Sequence, residues 1–326
     1  MASGSGDGWS GCAFGLQLAG TLSLEGVAAA PAQRRPDTWL EAGSRIVVDT
    51  RWRGAFARTL HERRLTDGSV GLSIQHDGEL GYRVWAPRHG CYLVAPDGAQ
   101  VLAAPPSGPA WRWERLVLAQ VLPLAALLQG RELLHASAVE VAGGAIAFFG
   151  GSGVGKTTLA ARLVARGARL LTDDVLAVDM VGRATRAHRG GITLRIDPRE
   201  LRGMSASERQ ALGAVRARGE KWHVAPRLAP AQLPLRLTYH LLRPADVDTV
   251  EVVAVRPYDP GLLLGSAFLN YVTAPQRLRR QIEVYSAVAG SAPLYQVRAS
   301  AYSASADVAD AVFNHARALL GEFGPR

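Results

Sequence analysis

Short runs of β-branched and aromatic residues alternate with turn sequences through the first 110 positions of the chain. Asp-Gly and Pro-Asp-Gly sequences separate these runs and are typical of tight turns between strands. The pattern predicts a β-rich N-terminal domain over residues 1–110. The turn at 96–98 predicts a hairpin that joins 92–95 to 100–104. The predicted strands are 45–49, 70–75, 81–85 and 91–95.

The pattern changes after the proline-rich stretch 104–110, which marks the predicted domain boundary. An apolar run predicts a helix over 111–128, and from residue 134 onward strands alternate with helices, which is typical of an α/β fold. We expect a second domain over 111–326. Its predicted strands are 136–141, 145–149, 170–172, 175–179, 235–242 and 250–255, and its predicted helices are 157–166, 275–288 and 306–321.

A glycine-rich sequence, Gly150-x-x-x-x-Gly155-Lys156-Thr157, lies between an apolar predicted strand and an amphipathic predicted helix. It matches the Walker A pattern, in which main-chain N–H groups and the helix N-terminus surround the phosphates of ATP or GTP. Lys156 would contact the β- and γ-phosphates, and the Thr157 hydroxyl would bind Mg²⁺. The predicted nucleotide-binding residues are Gly150, Gly151, Ser152, Gly153, Val154, Gly155, Lys156, Thr157 and Thr158.

Two adjacent carboxylates, Asp173 and Asp174, follow the predicted helix by one short strand. Such a strand can return the chain to the end of the sheet where the phosphates would bind. One carboxylate can hold Mg²⁺ while the other accepts the proton of an attacking hydroxyl, and neighbouring carboxylates raise each other's pKa. A solvated acidic turn is the alternative interpretation. His135 precedes the first strand of the second domain, so it is either near the phosphates or a packed residue.

The chain has 37 basic and 28 acidic residues, for a net charge of +9, and only Lys156 and Lys221 among the basic residues are lysines. An arginine-rich composition accounts for this charge as well as an anionic ligand does. Lys221 is a candidate contact to phosphate or acceptor, or an exposed loop residue. Arg195 is a second such candidate. Three arginines, Arg277, Arg279 and Arg280, are spaced like a solvated helix face.

Several classes of protein are disfavoured by composition. The two cysteines, Cys12 and Cys91, are too few for a disulfide framework or a metal cluster, which favours a cytoplasmic location. The most apolar run, 116–128, is too short to span a membrane, and the N-terminus does not resemble a secretory signal. Aromatic and basic residues are not interleaved on a recognisable module, so we expect no nucleic-acid partner.

The stretch from His135 to Asp174 resembles the catalytic domain of HPr kinase/phosphorylase and its relatives. The resemblance consists of His135, the glycine-rich sequence 150–157, and the sequence that leads into Asp173-Asp174. It implies an α/β fold with a P-loop core of the kind shared with phosphoenolpyruvate carboxykinases. It also implies phosphoryl transfer from ATP, with Mg²⁺, to a serine hydroxyl.

The resemblance also implies roles by position. Asp173 would be the general base, while Asp174 and Glu200 would join Thr157 in binding Mg²⁺, and His135 would lie beside the transferred group with Lys156. The chain is similar to divergent HPr-kinase-like proteins that accompany peptide natural-product clusters, some of which phosphorylate a serine of a precursor peptide. A homo-oligomer is a further expectation from the resemblance.

Other functions are compatible with the same residues. A small-molecule kinase of the same fold would use the same groups behind a tighter pocket. A regulatory protein with weak ATPase activity would need only the glycine-rich loop, so the pair Asp173-Asp174 favours a transferase. A nucleic-acid-binding ATPase has only the net charge in its favour. We expect an ATP-dependent kinase whose partner is a peptide or protein acceptor carrying a serine.

Overall fold

The computed structural model describes residues 8–33, 35–182 and 184–321. The chain forms two compact units, Met1–Arg131 and Glu132–Arg326. The boundary predicted after residue 110 therefore lies inside the first unit, because the helical segment that follows it groups with the N-terminal strands. None of the described helices is both long and apolar enough to cross a membrane.

One sheet of nine strands makes up most of the first unit, in the order β3-β1-β2-β4-β9-β8-β7-β6-β5. A π-helical turn, Val117–Val121, joins α2 to α3, and Pro123, which has no N–H, lies just beyond it. The predicted hairpin is confirmed, because β8 and β9 pair antiparallel. The elements are β1 Trp9–Ala13, β2 Leu16–Gly20, β3 Ala28–Ala29, β4 Thr38–Ala42, α1 Arg45–Arg51, β5 Arg58–Arg64, β6 Val70–Asp77, β7 Gly81–Ala86, β8 Gly90–Val94, β9 Gln100–Ala104, α2 Ala110–Leu116 and α3 Leu122–Leu128.

The strand predicted at 45–49 is wrong, because these residues form helix α1. The Ser44 side chain caps the helix N-terminus, and Arg45 pairs with Asp49 one turn later at 2.8 Å. Only Val48 of the apolar run is buried. Capping and this single buried contact outweigh the β-propensity of the sequence Ile-Val-Val.

The second unit is mixed α/β. Its large sheet has the order β10-β14-β15-β19-β12-β11-β13, with β21 beside β19 and β20 beside β21, and a smaller sheet has the order β16-β18-β17. The elements are β10 Glu132–Leu134, β11 Ala136–Val141, β12 Gly144–Phe149, α4 Lys156–Ala165, β13 Arg169–Thr172, β14 Leu176–Val181, β15 Ala184–His188, β16 Leu194–Ile196, α5 Pro198–Arg202, α6 Ala206–Leu212, β17 Ala214–Arg218, β18 Trp222–Ala225, β19 Gln232–Leu242, β20 Glu251–Ala254, α7 Pro260–Leu264, α8 Pro275–Ser291, β21 Leu294–Arg298 and α9 Ser305–Gly321.

Strands β12, β11 and β13 are neighbours in the large sheet and bring distant parts of the sequence to one edge of it. Ala142 and Gly143 both have positive φ, as a two-residue hairpin turn requires, and they reverse the chain between β11 and β12. Strand β13 also runs antiparallel to β11, so β12 and β13 are parallel to each other. The carboxyl ends of β12 and β13 therefore meet the start of β11 at the same edge.

Helices cover both faces of this sheet. Ile146 and Phe148 of β12 lie in an apolar cluster with residues of α4 and α9. Phe149 points to the opposite face, where it shares a cluster with Val288 of α8. Strands buried on both faces read as continuous apolar runs, which is the pattern of β12.

Candidate functional site

The loop between β12 and α4 is built for close approach of the main chain. Gly150, Gly153 and Gly155 all have positive φ, a conformation that favours glycine. A Cβ atom on Gly150 would lie 2.7 Å from the main-chain oxygen of Leu241, so the loop tolerates no side chain there. Helix α4 begins directly after Gly155 without a side-chain cap. Its first N–H groups and its dipole can therefore serve an anion.

Lys156 lies inside this loop rather than in solvent. Its side chain is 7% exposed, and Nζ donates to the carbonyl oxygens of Gly150 at 2.9 Å and Gly151 at 3.1 Å. Burial lowers the pKa of Lys156, and the charges of Asp174 and Asp173 oppose that shift. The ammonium group is thus held between the loop and the two carboxylates.

Asp173 directly follows β13, and its side chain lies beside the first turn of helix α4. Its Oδ1 accepts hydrogen bonds from the hydroxyl groups of Ser137 at 2.7 Å and Thr157 at 3.0 Å. The main-chain N–H of Arg195 also favours the charged form of this carboxylate and lowers its pKa. Burial, and next the charge of Asp174, raise the pKa of Asp173 to about 6, although the three donors oppose the shift. The carboxylate is therefore suited to take a proton near neutral pH.

His135, between β10 and β11, contacts the main chain of the acidic pair. Its Nδ1 lies 2.9 Å from the carbonyl oxygen of Asp174, and because a carbonyl only accepts, Nδ1 carries the proton. Burial, and next the charge of Lys156, lower the pKa of His135. Asp174 has a φ of 66°, a left-handed conformation that Asp tolerates better than most residues. The ring of Phe268 stacks on His135 with centroids 6.1 Å apart.

The structure places Glu200, in α5, in an ion pair. Its Oε1 accepts hydrogen bonds from Nε of Arg162 and from the Ser305 hydroxyl, both at 2.7 Å. Arg162 is buried and also pairs with Glu208 at 2.9 Å. A metal ion at Glu200 would have to compete with this pair. Within the described residues, no group of three or more Asp, Glu, His or Cys side chains is arranged to hold a metal.

A cavity of about 300 Å³ adjoins the glycine-rich loop, and Glu200 is one of its polar lining residues. Leucine, valine and alanine side chains also line it, which suits a flat, largely apolar group next to a phosphate-binding loop. The other lining residues are Gly153, Val154, Gly155, Thr158, Leu159, Leu241, Leu242, Arg243, Val297, Ala299, Ser305 and Val308.

The two cationic candidates lie on the smaller sheet. Arg195 belongs to β16, and its Nε is buried without a hydrogen-bond partner among the described residues. Lys221 is exposed in the turn between β17 and β18. The main-chain N–H of Arg195 is among the groups that lower the pKa of Asp173.

Comparison with known proteins finds a family match in the segment that forms this site. Residues 126–204 match the model of the HPr serine kinase C-terminal domain, a segment that contains His135, the glycine-rich loop and both aspartates. This segment of the chain is HPr-kinase-like. The structure of the Hpr(Ser) kinase/phosphatase from Coxiella burnetii is similar over 59% of this chain and 94% of that chain, with 12% sequence identity and a TM-score of 0.31. Comparison with curated proteins finds no match.

The HPr-kinase-like segment contains two functional candidates that sequence analysis missed. Ser137 is one of two polar residues in β11, the other being Glu140, and it lies among apolar neighbours, a pattern from which it could have been found. Arg162 lies on the buried face of α4 and contacts Glu200, which is 38 positions away. No local pattern indicates such a pair.

The solvated helix face predicted for three arginines is wrong for Arg277. This side chain is 5% exposed and pairs with Glu132, which is fully buried, at 3.3 Å. Arg279, two positions later on α8, is exposed. Helix α8 thus turns one arginine into the unit and leaves a neighbour in solvent.

Proposed function

We propose that this HPr-kinase-like protein binds ATP with Mg²⁺ and transfers the γ-phosphoryl group to a hydroxyl, most simply a serine of a peptide or protein. The principal support is the position of Asp173. Its carboxylate lies within one hydrogen bond of Thr157, at the N-terminus of the helix that follows the glycine-rich loop. A base at that point is next to the phosphate site that the loop would form.

The residues of the loop fit a triphosphate. A Cβ atom added to Gly151, Gly153 or Gly155 would have no other atom within 4 Å, so a phosphate chain can approach the main chain on that side. Lys156 would exchange its contacts to loop carbonyls for contacts to phosphate oxygens. The cavity beside the loop would receive the base of the nucleotide.

Mg²⁺ fits the same edge of the sheet. In kinases it is commonly held by one or two carboxylates together with substrate phosphates, and it neutralises charge on the transferred group. Thr157 and Asp174 would hold it here. Glu200 would join them only by releasing Arg162 and Ser305.

Asp173 would then act on the acceptor. Its carboxylate takes the proton of the incoming hydroxyl while the acceptor oxygen forms a bond to the γ-phosphorus. The bond from that phosphorus to the β–γ bridging oxygen breaks, and ADP leaves with the bond electrons. His135 fixes the carbonyl of Asp174 through Nδ1 and so positions the acidic pair.

The acceptor class follows from the resemblance. A serine in a precursor peptide of a natural product is the first acceptor to examine, and a small hydroxyl-bearing metabolite is the alternative. The test is incubation with γ-labelled ATP, Mg²⁺ and each class of acceptor, followed by mass spectrometry of the acceptor. Label on a peptide serine supports the proposal, whereas label found only as free phosphate would indicate a regulatory ATPase.

Nucleotide binding has its own test. ATP with Mg²⁺ at 100 times its Kd should stabilise the protein by about 2.7 kcal/mol, seen as a rise in Tm. Lys156→Ala should abolish that rise, and Lys221→Ala, which changes the other lysine, should leave it intact. If Lys156→Ala keeps the full rise in Tm, the loop does not bind the nucleotide.

A further inference from the structure

The smaller sheet connects helix α4, which begins beside Asp173, to an exposed edge strand. Its first strand, β16, packs against α4, because Leu194 and Ile196 share an apolar cluster with Leu159. Strand β18 pairs with β16 on one side and β17 on the other, and β17 is the far edge of this sheet. Arg195, His223 and Ala217 lie in register across the three strands.

The hairpin formed by β17 and β18, residues 214–225, is exposed and basic, and we call it the basic hairpin. Arg216, Arg218 and Lys221 are all exposed, and Glu220 is the one acidic residue of the hairpin sequence. Within the described part of the chain, neither Arg216 nor Lys221 forms an ion pair. The guanidinium of Arg218 lies 4.8 Å from the ring centroid of Trp222, which holds its charge in place.

Charge alone does not distinguish a binding surface from an ordinary solvated one. The distance of these charges from Asp173 does. Neighbouring strands lie about 4.8 Å apart, which puts the β17 edge roughly 10 Å from β16. An extended peptide spans that distance with about three residues. A segment of an acceptor bound along β17 can therefore present a hydroxyl only a few residues away to Asp173.

The backbone groups and the charge of the edge strand β17 indicate which kind of ligand could bind there. Its unpaired N–H and C=O groups can pair with an extended chain, and three cations attract carboxylates. We propose that the basic hairpin binds an acidic, extended peptide segment that flanks the hydroxyl phosphorylated at Asp173. This inference rests on the proposed kinase function and assigns the recognition of its acceptor to Arg216, Arg218 and Lys221.

Binding is measured directly, without turnover. The probe is a fluorescein-labelled peptide with one serine among glutamates, and its reference has glutamine in place of every glutamate. The double variant Arg216→Glu/Lys221→Glu reverses two exposed charges. Its affinity for the acidic probe by fluorescence anisotropy should fall about tenfold, with little change for the reference peptide.

A matched control comes from β5, which is also an exposed, basic edge strand. Arg58→Glu/Arg63→Glu changes the net charge equally and should leave probe affinity unchanged. The rise in Tm with ATP should be unchanged in both variants. In the kinase assay, the hairpin variant should raise KM for the acidic peptide and leave kcat unchanged.

Four outcomes overturn the inference: no binding of the acidic probe to the unaltered protein, an equal loss in the β5 variant, unchanged affinity in the hairpin variant, or loss of the ATP effect in that variant. The last would assign the hairpin to the nucleotide. If the protein binds the probe through the hairpin yet transfers no phosphate from ATP to any acceptor, the kinase proposal fails while the docking surface stands.

Discussion

The Thr157 hydroxyl donates a hydrogen bond to Oδ1 of Asp173 over 3.0 Å, although the residues are 16 positions apart. Thr157 lies in the first turn of α4 and Asp173 directly after β13. Because β12 and β13 are parallel, the chain reaches the same edge of the sheet twice. The Asp173 carboxylate and a helix N-terminus that follows a glycine-rich loop are thus brought together by the strand order.

The first prediction concerns the pH dependence of transfer. The pKa of Asp173 is raised to about 6, so the carboxyl is protonated below that pH and unable to accept a proton. We expect kcat/KM, which reports groups of the free enzyme, to rise with pH through about 6. At a pH one unit below the midpoint, kcat/KM should be about a tenth of its plateau.

The base assignment is checked with Asp173→Asn, which should keep the rise in Tm with ATP and stop transfer. Asp248→Asn, an exposed aspartate of the same unit, is the matched control and should behave as the unaltered protein. Transfer at the original rate by Asp173→Asn would remove Asp173 as the base. A kcat/KM that is constant across this pH range would contradict the pKa.

The second prediction concerns Ser137, whose hydroxyl stabilises the charged form of Asp173. A hydrogen bond to a charged group contributes about 1.5–3 kcal/mol, and a change of 1.36 kcal/mol moves a pKa by one unit. Ser137→Ala should therefore raise the midpoint of the kcat/KM profile by about one pH unit. The plateau at high pH should change little, because Asp173 is then ionised in both proteins.

Ser137→Thr keeps a hydroxyl and should restore the original midpoint. A structural role alone would lower activity equally at every pH. An unmoved midpoint in Ser137→Ala would therefore show that this hydroxyl does not tune Asp173.

The local sequence pattern was sufficient to predict the elements around the glycine-rich loop. Periodicity and a motif describe these elements because they are consecutive in sequence: strands β11 and β12, the loop itself, and the short return to Asp173. The parallel relation of β12 and β13 depends on the pairing order, which the sequence only suggests. The contact of Asp173 with Ser137 follows from that order.

The sequence analysis predicted none of the strands from β15 to β18, and the short length of these strands explains why. Strand β16 has three residues and β18 has four, too few for an alternating pattern to emerge. Pairs such as Arg162–Glu200 depend on tertiary packing alone.

The third prediction concerns the buried pair Glu132–Arg277. Burial raises the pKa of Glu132 to about 7, while the charge of Arg277 opposes the shift. Arg277→Met would leave the Glu132 carboxylate buried without a partner, which should lower the free energy of unfolding by about 3–5 kcal/mol. Arg277 also donates to the carbonyl oxygen of Phe268. The variant should therefore also make Phe268, which stacks on His135, more mobile.

The loss should depend on pH with a definite sign. In Arg277→Met the pKa of folded Glu132 rises further above its unfolded value, so the folded state binds the extra proton and stability falls as pH rises through that interval. Urea unfolding should show a larger loss near pH 8 than near pH 5, where the carboxyl is protonated and neutral. Arg279→Met, an exposed change on the same helix, should alter stability by no more than about 0.5 kcal/mol. An equal loss at both pH values would mean that Arg277 stabilises the fold through its carbonyl contacts rather than through the charge of Glu132.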